Sequence, residues 1–204
     1  MTRYIRKWFI GACFAASVIT LNISSATAQT TGNCPGADFE TGIFTSEWQG
    51  FTGSCCPISV PTPGIVPGRH TILASPAGFD PNTCGGLDIS PAMAGGYVCR
   101  LGNSQTGAQA ERLTYTMTVD ASNALFVYRY AVVLQNPSGH TPAEQPRFEI
   151  SVLDSAGNLI DPTCGYYNVV ATANIPGFQT CAQATPVVWK DWTTVGISLV
   201  PYIN

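Results

Sequence analysis

Residues 111–134 read ERLTYTMTVDASNALFVYRYAVVL. Leu113, Tyr115, Met117 and Val119 alternate with Thr114, Thr116 and Thr118. Successive side chains of a strand point to opposite faces, so this is a strand with one buried and one wetted face. Asp120, Ala121, Ser122 and Asn123 supply a turn. Residues 124–134 are then apolar on both faces apart from Arg129, the pattern of a central strand covered on both sides. An arginine there is costly unless paired. Glu111 and Glu149, on strands expected to be neighbours, are its candidate partners, and a structural ion pair is preferred to a grip on a ligand.

Working outward, the same period returns. Phe148, Ile150 and Val152 alternate with Arg147, Glu149 and Ser151, and Ser155-Ala156-Gly157-Asn158 closes a hairpin onto Leu159 and Ile160. Residues 187–189 and 195–200 are two further short strands. Upstream, residues 29–109 hold most of the glycine and proline, in runs such as residues 57–64 and 91–96. Helices do not survive that density of breakers. Short strands, frequent turn signals and no helical period outside the N-terminus predict an all-β chain, an antiparallel β-sandwich of jelly-roll type.

The N-terminus carries Arg3, Arg6 and Lys7, an apolar stretch over residues 8–23, and Ala26-Thr27-Ala28. That is the layout of a secretory signal peptide, residues 1–28, cleaved after Ala28. Residues 29–204 then form one domain. The mature chain keeps 6 basic against 12 acidic residues, a net charge of −6. Such a surface excludes nucleic acid and anionic membrane as partners, since both want basic patches, and no membrane insertion is expected. Seven cysteines remain: Cys34, Cys55, Cys56, Cys84, Cys99, Cys164 and Cys181. In an oxidising compartment they pair, with at least one left over. A Cys164–Cys181 bridge would contribute roughly 3 kcal/mol by closing a short loop, and adjacent Cys55 and Cys56 are expected to serve two different bridges.

No catalytic constellation emerges, and the chain is expected not to be an enzyme. Ser104 lies in a Gly-flanked loop without the G-x-S-x-G spacing of a nucleophile elbow. His70 and His140 are the only histidines, and a metal site on them would need both plus carboxylates. Glu144, Glu149 and Asp154 lie close in sequence, but Glu149 on the polar side of a strand and Asp154 at a turn read as solvated surface rather than as acids paired across a cleft. Tyr166, Tyr167, Phe178, Trp189 and Trp192 gather near the proposed Cys164–Cys181 loop. Tyr166, Tyr167 and Trp189 are candidate ligand-binding residues, because aromatic rings stack on the apolar faces of sugars; core packing is the competing reading.

Residues 38–48, DFETGIFTSEW, place an acid after a phenylalanine and a tryptophan eight residues further on. This F-E-x-G segment resembles the opening of galactose-binding-like jelly rolls, including many carbohydrate-binding modules. The resemblance implies a structural calcium ion with Glu40 as first ligand, a second acid coming from the final strand; here nothing supplies that second acid. Alternatively, Phe39 and Trp48 are core and Glu40 caps a turn. Further segments look like a module of large bacterial surface proteins similar to the gliding-motility and adhesin type: Arg100 to Asn103, Ala110 to Leu113, Tyr128 to Leu134, Glu144 to Phe148 and Cys164 to Tyr167.

This second resemblance spans about residues 33–204 and implies a place on the outer cell surface within a larger multidomain chain. With the odd cysteine count and the missing second acid, it leads to the expectation that the jelly roll lacks at least its last strand after Asn204. The functional expectation is a secreted or surface-exposed, non-catalytic binding module for adhesion, recognising a glycan or a protein surface. The alternatives are an accessory carbohydrate-binding domain of a larger extracellular glycoside hydrolase or peptidase, and a strand-accepting subunit of an extracellular assembly.

Overall fold

In the computed structural model, residues 34–92, 95–182 and 186–203 are described; the leader reading of residues 1–28 lies outside them. Among the described residues ten strands form: β1 (Trp48–Ser54), β2 (Ser59–Pro63), β3 (His70–Ala74), β4 (Tyr97–Leu101), β5 (Gln109–Tyr115), β6 (Leu125–Gln135), β7 (Arg147–Ser151), β8 (Tyr166–Val170), β9 (Gln179–Cys181) and β10 (Val187–Ser198). Every pairing is antiparallel. The sheets run β2-β1-β5, β6-β10-β9, β3-β4 and β7-β8. The all-β, antiparallel expectation holds, with sheets packed in layers as a β-sandwich requires.

In the first sheet, cross-strand pairs set the register. Trp48 lies opposite Tyr115 with ring centroids 4.8 Å apart. Phe51 lies opposite Arg112, whose guanidinium sits 4.1 Å over the phenyl ring. Such pairs are the unit of sheet stabilisation. β5 ends at Tyr115 although the alternation runs on to Val119. Its partner gives the reason: the chain before Trp48 is a turn, with the Trp48 N–H donating to the Thr45 carbonyl, so no strand is left to pair.

The second sheet corrects two expectations. Residues 187–200 do not form two short strands; residues 187–198 form one strand, and β10, not β6, is the centre of its sheet. A bulge makes the single strand possible. Lys190 pairs with Val132 and Thr193 with Tyr130, so Asp191 and Trp192 together face Ala131. Residues three apart on a regular strand face opposite ways. Here the extra residue brings Trp192 to the same side as Trp189, where both pack with Leu87, Ala131 and Val133.

That side is covered by residues 77–90. Asp80 opens a 3-10 turn at Pro81–Thr83, its carboxylate accepting the Asn82 N–H at 2.7 Å, with proline pre-set at the first helical position. Buried Thr83 donates to the Asp80 carbonyl and accepts the Leu87 N–H. Cys84 leaves the turn in the left-handed region and is disulfide-bonded to Cys181, Cα to Cα 5.6 Å. Gly86 lies flat on Trp189, where any Cβ would stand 2.5 Å from the indole. The Trp192 indole N–H donates to the Asp88 carbonyl at 2.8 Å.

The β7-β8 hairpin covers the other side. Tyr130, Val132 and Val169 form its buried centre, with Tyr128, Phe148, Ile150 and Tyr167 around them. Beyond β7, the expected turn at residues 155–158 is present, closed by a Leu153–Leu159 bridge with Asp154 accepting the Ala156 and Asn158 N–H groups.

β6 is therefore buried on both sides only in its second half. The covering segment reaches Ala131 and Val133, whereas Leu125 is 70 % exposed, Val127 46 % and Arg129 also lies in the open. Arg129 is exposed and is not a buried charge. Glu111 pairs with Arg69, and Glu149 accepts from the Asn168 side chain at 3.4 Å.

Candidate binding groove

The sheet of β6, β10 and β9 separates the sequence-predicted ligand residues rather than gathering them. Trp189 is 4 % exposed and belongs to the layer under residues 77–90. Tyr167 lies on the opposite side, 5.1 Å from Tyr130 and 6.3 Å from Phe148 by ring centroids. Burial, and then Tyr130 beside it, push its phenol above the usual range. Tyr166, its neighbour on β8, faces the other way, is 38 % exposed and accepts from the Asn168 side chain. Of the three, Tyr166 is exposed, Tyr167 half-buried and Trp189 buried in the core.

The same separation corrects the proposed Cys164–Cys181 bridge. Cys164 sits in a turn where Asp161 accepts its N–H at 3.0 Å, and its carbonyl accepts from Tyr128. That is the β7-β8 side. Cys181 faces the other side, beside Leu87, and is bonded to Cys84. Cys55 and Cys56, expected in separate bridges, are joined to each other. Cys34, Cys99 and Cys164 are free thiols.

Glu40 caps a turn. Its carboxylate oxygens accept the Gly96 N–H at 3.1 and 3.2 Å, and it occupies the space that a side chain on Gly95 would need. Asp38 meets it through the backbone, Oδ1 accepting the Glu40 N–H. Calcium takes several carboxylate and carbonyl oxygens, yet among the described residues no three His, Cys, Asp or Glu side chains are placed to hold a metal. Phe39 stacks on Trp48 at 4.7 Å and meets Phe44 edge-on at 6.1 Å, all three rings half-buried rather than in the core.

Of these rings, Phe44 and Trp48 line a groove on the first sheet. Two adjoining depressions of about 260 and 440 Å³ share Ile65. Trp48, Phe51 and Pro63 line the first; Ile43, Phe44, Pro67 and Ile72 line the second. Gly50 makes the groove possible. Its carbonyl accepts the Gly64 N–H at 2.8 Å, and a Cβ at Gly50 would stand 2.7 Å from the Ile65 side chain. The chain returning from β2 can therefore lie against β1. The outer rim stays apolar, Ile43 being 65 % exposed and Ile65 and Val66 also exposed.

No charged side chain lines either depression. The nearby Arg69 is bound to Glu111 and to the Gly53 and Ala110 carbonyls. His70, in the floor, is 2 % exposed; Nδ1 accepts the Val66 N–H and Nε2 donates to the Arg112 carbonyl, both at 3.1 Å. That arrangement uses both ring nitrogens in the neutral form and leaves none for a metal or a proton transfer. Sequence reasoning did not show that His70, on β3, pins that strand to β5. His70→Ala is expected to lower stability by about 2–4 kcal/mol, through a cavity and two orphaned backbone groups, as read by urea denaturation.

Behind the groove, Cys99 pairs with Ile72 across β3 and β4, and burial pushes its thiol up from 9.0 to about 12. The folded state thus keeps a proton that the unfolded chain loses. This stabilisation is whole below about pH 9 and declines as the pH rises towards 12. Tyr115, also raised to about 12 by burial first, adds to the later part of the decline. Stability measured from pH 8 to 11 is expected to fall, and to fall less steeply in Cys99→Ala.

No protein-family model, curated protein or solved structure matches the chain.

Proposed function

We propose that this chain is a secreted, non-catalytic binding module that docks a protein surface in the groove centred on Ile65. The observation carrying this reading is an exposed, uncharged, apolar depression walled by Ile43, Phe44, Phe51 and Ile65. Contiguous exposed apolar surface of this kind marks interaction sites. A glycan would want several hydrogen-bonding side chains beside a flat ring, and this lining offers few, Gln49 and Thr71, among aromatic, aliphatic and proline side chains. Apolar side chains of a partner protein complement it better. Two disulfides support an oxidising location, and no helix among the described residues is long and apolar enough to cross a membrane. The secretory leader, a place on a bacterial outer surface, the jelly-roll kinship and an adhesive role within a longer chain belong to the same proposal.

Peptide and glycan arrays probed in parallel test it. Binding to peptides with spaced apolar residues, weakened more than tenfold by Ile65→Asp at unchanged melting temperature, is the expected result. Glycan binding that Tyr166→Ala removes and Ile65→Asp leaves intact would favour the accessory carbohydrate-binding reading instead.

A further inference from the structure

A thiol and a thioether meet beyond the end of β5. The free thiol of Cys34 donates to the Met117 sulfur at 3.5 Å, although the two residues are 83 apart in sequence. Three segments fix the pair. The residues after Cys34 are pinned to the first sheet: the Pro35 carbonyl accepts from the Tyr115 phenol at 3.1 Å, and the Gly36 carbonyl accepts from the Trp48 indole at 2.8 Å. Met117 follows β5, which ends at Tyr115. The third segment brings Asn123, whose side chain donates to the Cys34 sulfur at 3.5 Å and to the Thr118 carbonyl at 2.8 Å. Its Oδ1 accepts the Asp120 N–H at 2.7 Å, and the residue is only 8 % exposed. The amide is therefore held with an N–H directed at the sulfur, an orientation that favours a thiolate over a thiol.

We propose that Cys34 and Met117 together bind a soft monovalent cation of the copper(I) class. Thiolate and thioether sulfurs are the donors that select such an ion. A zinc site would call for further thiolates, imidazoles or carboxylates, and among the described residues no three His, Cys, Asp or Glu side chains gather to supply them. At metal–sulfur lengths of about 2.3 Å, sulfurs placed as these are subtend roughly 100° at the ion. That bent pair leaves a third position for an outside donor. Both residues are half-buried, so the ion reaches them from solvent. Binding forms two metal–sulfur bonds, breaks the Cys34 S–H bond and releases its proton to water, with no change of oxidation state. Neither residue lines the groove, and the site stands apart from the proposed function.

Anaerobic titration of the chain with copper(I) held by a chromophoric chelator tests it, with Cys34→Ser, Met117→Leu and Cys164→Ser as variants. One equivalent withdrawn from the chelator is the expected result, with affinity lowered at least a hundredfold by Cys34→Ser and at least tenfold by Met117→Leu. Cys164→Ser, which removes another free thiol, is expected to bind as the parent does. Leucine nearly conserves the volume of methionine, so Met117→Leu decides the matter should the serine variant misfold. In parallel, silver(I) is expected to shift the methyl resonance of Met117. A chain that withdraws no copper(I) overturns the proposal, as does binding that Cys34→Ser and Met117→Leu leave intact. So does a purified chain whose Cys34 is bridged to another cysteine.

Discussion

Replacing Cys84 and Cys181 together by serine is expected to lower the stability of the folded chain by about 4–5 kcal/mol in urea denaturation. The bridge closes a loop with a sequence separation of 97, and loop-closure entropy for about 100 residues amounts to roughly 4.7 kcal/mol. Its position adds to the effect. Cys181 is 1 % exposed in the same cluster as Leu87 and Trp189, so a serine hydroxyl there loses water without a designed partner. Cys164→Ser, by contrast, removes a thiol that holds no bridge and is expected to change stability by less than about 1 kcal/mol. If Cys164→Ser proved as harmful as Cys181→Ser, the layers on the two sides of β10 would have to be redrawn.

Trp189→Ala is expected to cost about 3–5 kcal/mol, the range for emptying a large aromatic from a core. The indole is the surface on which residues 77–90 rest. Gly86 lies against it, and Leu87, Val133 and Trp192 pack around it. Removing it also loosens the seat of Cys84. Denaturation followed by circular dichroism measures the loss, and Trp189→Phe should recover part of it. Binding to any partner of the groove is expected to persist in Trp189→Phe, since the groove is built on the first sheet. A tryptophan that touched ligand would behave in the reverse way, with binding lost and stability kept.

How far these features are legible in the sequence depends on the range over which they are determined. Strand and turn are local. The Leu113–Tyr115 alternation, the Phe148–Ile150 alternation and the turn at residues 155–158 can all be read from side-chain period and turn chemistry, and each appears in the fold. Which strand is central is not local. β6 looks more apolar than β10, yet it lies at the edge, because an apolar residue in a strand does not say which element covers it.

The burial expected of Arg129 failed for the same reason, since residues 77–90 stop short of that end of β6. The bulge at Asp191 and Trp192 was hidden too. It shows only when both tryptophans must reach one face, and the partner strand decides that. Cysteine pairing is likewise set by layers: Cys164 is nearer to Cys181 in sequence and lies on the wrong side of the sheet. At the candidate site, the cluster of Phe39, Phe44 and Trp48 was visible as an apolar segment around Glu40. The contribution of Ile65, Pro63 and Pro67 was not, because residues 57–67 carry loop composition and owe their place to the close approach at Gly50.

The central claim is that the groove, and not the exposed face around Tyr166, receives the partner. Amide and methyl chemical shifts of the labelled chain, recorded while an array-selected peptide of spaced apolar residues is titrated in, test it most directly. Shifts confined to Ile43, Phe44, Ile65 and Ile72, absent in Ile65→Asp, are the result this account predicts. Shifts gathered on Tyr166 and Asn168, with the groove silent, would contradict it.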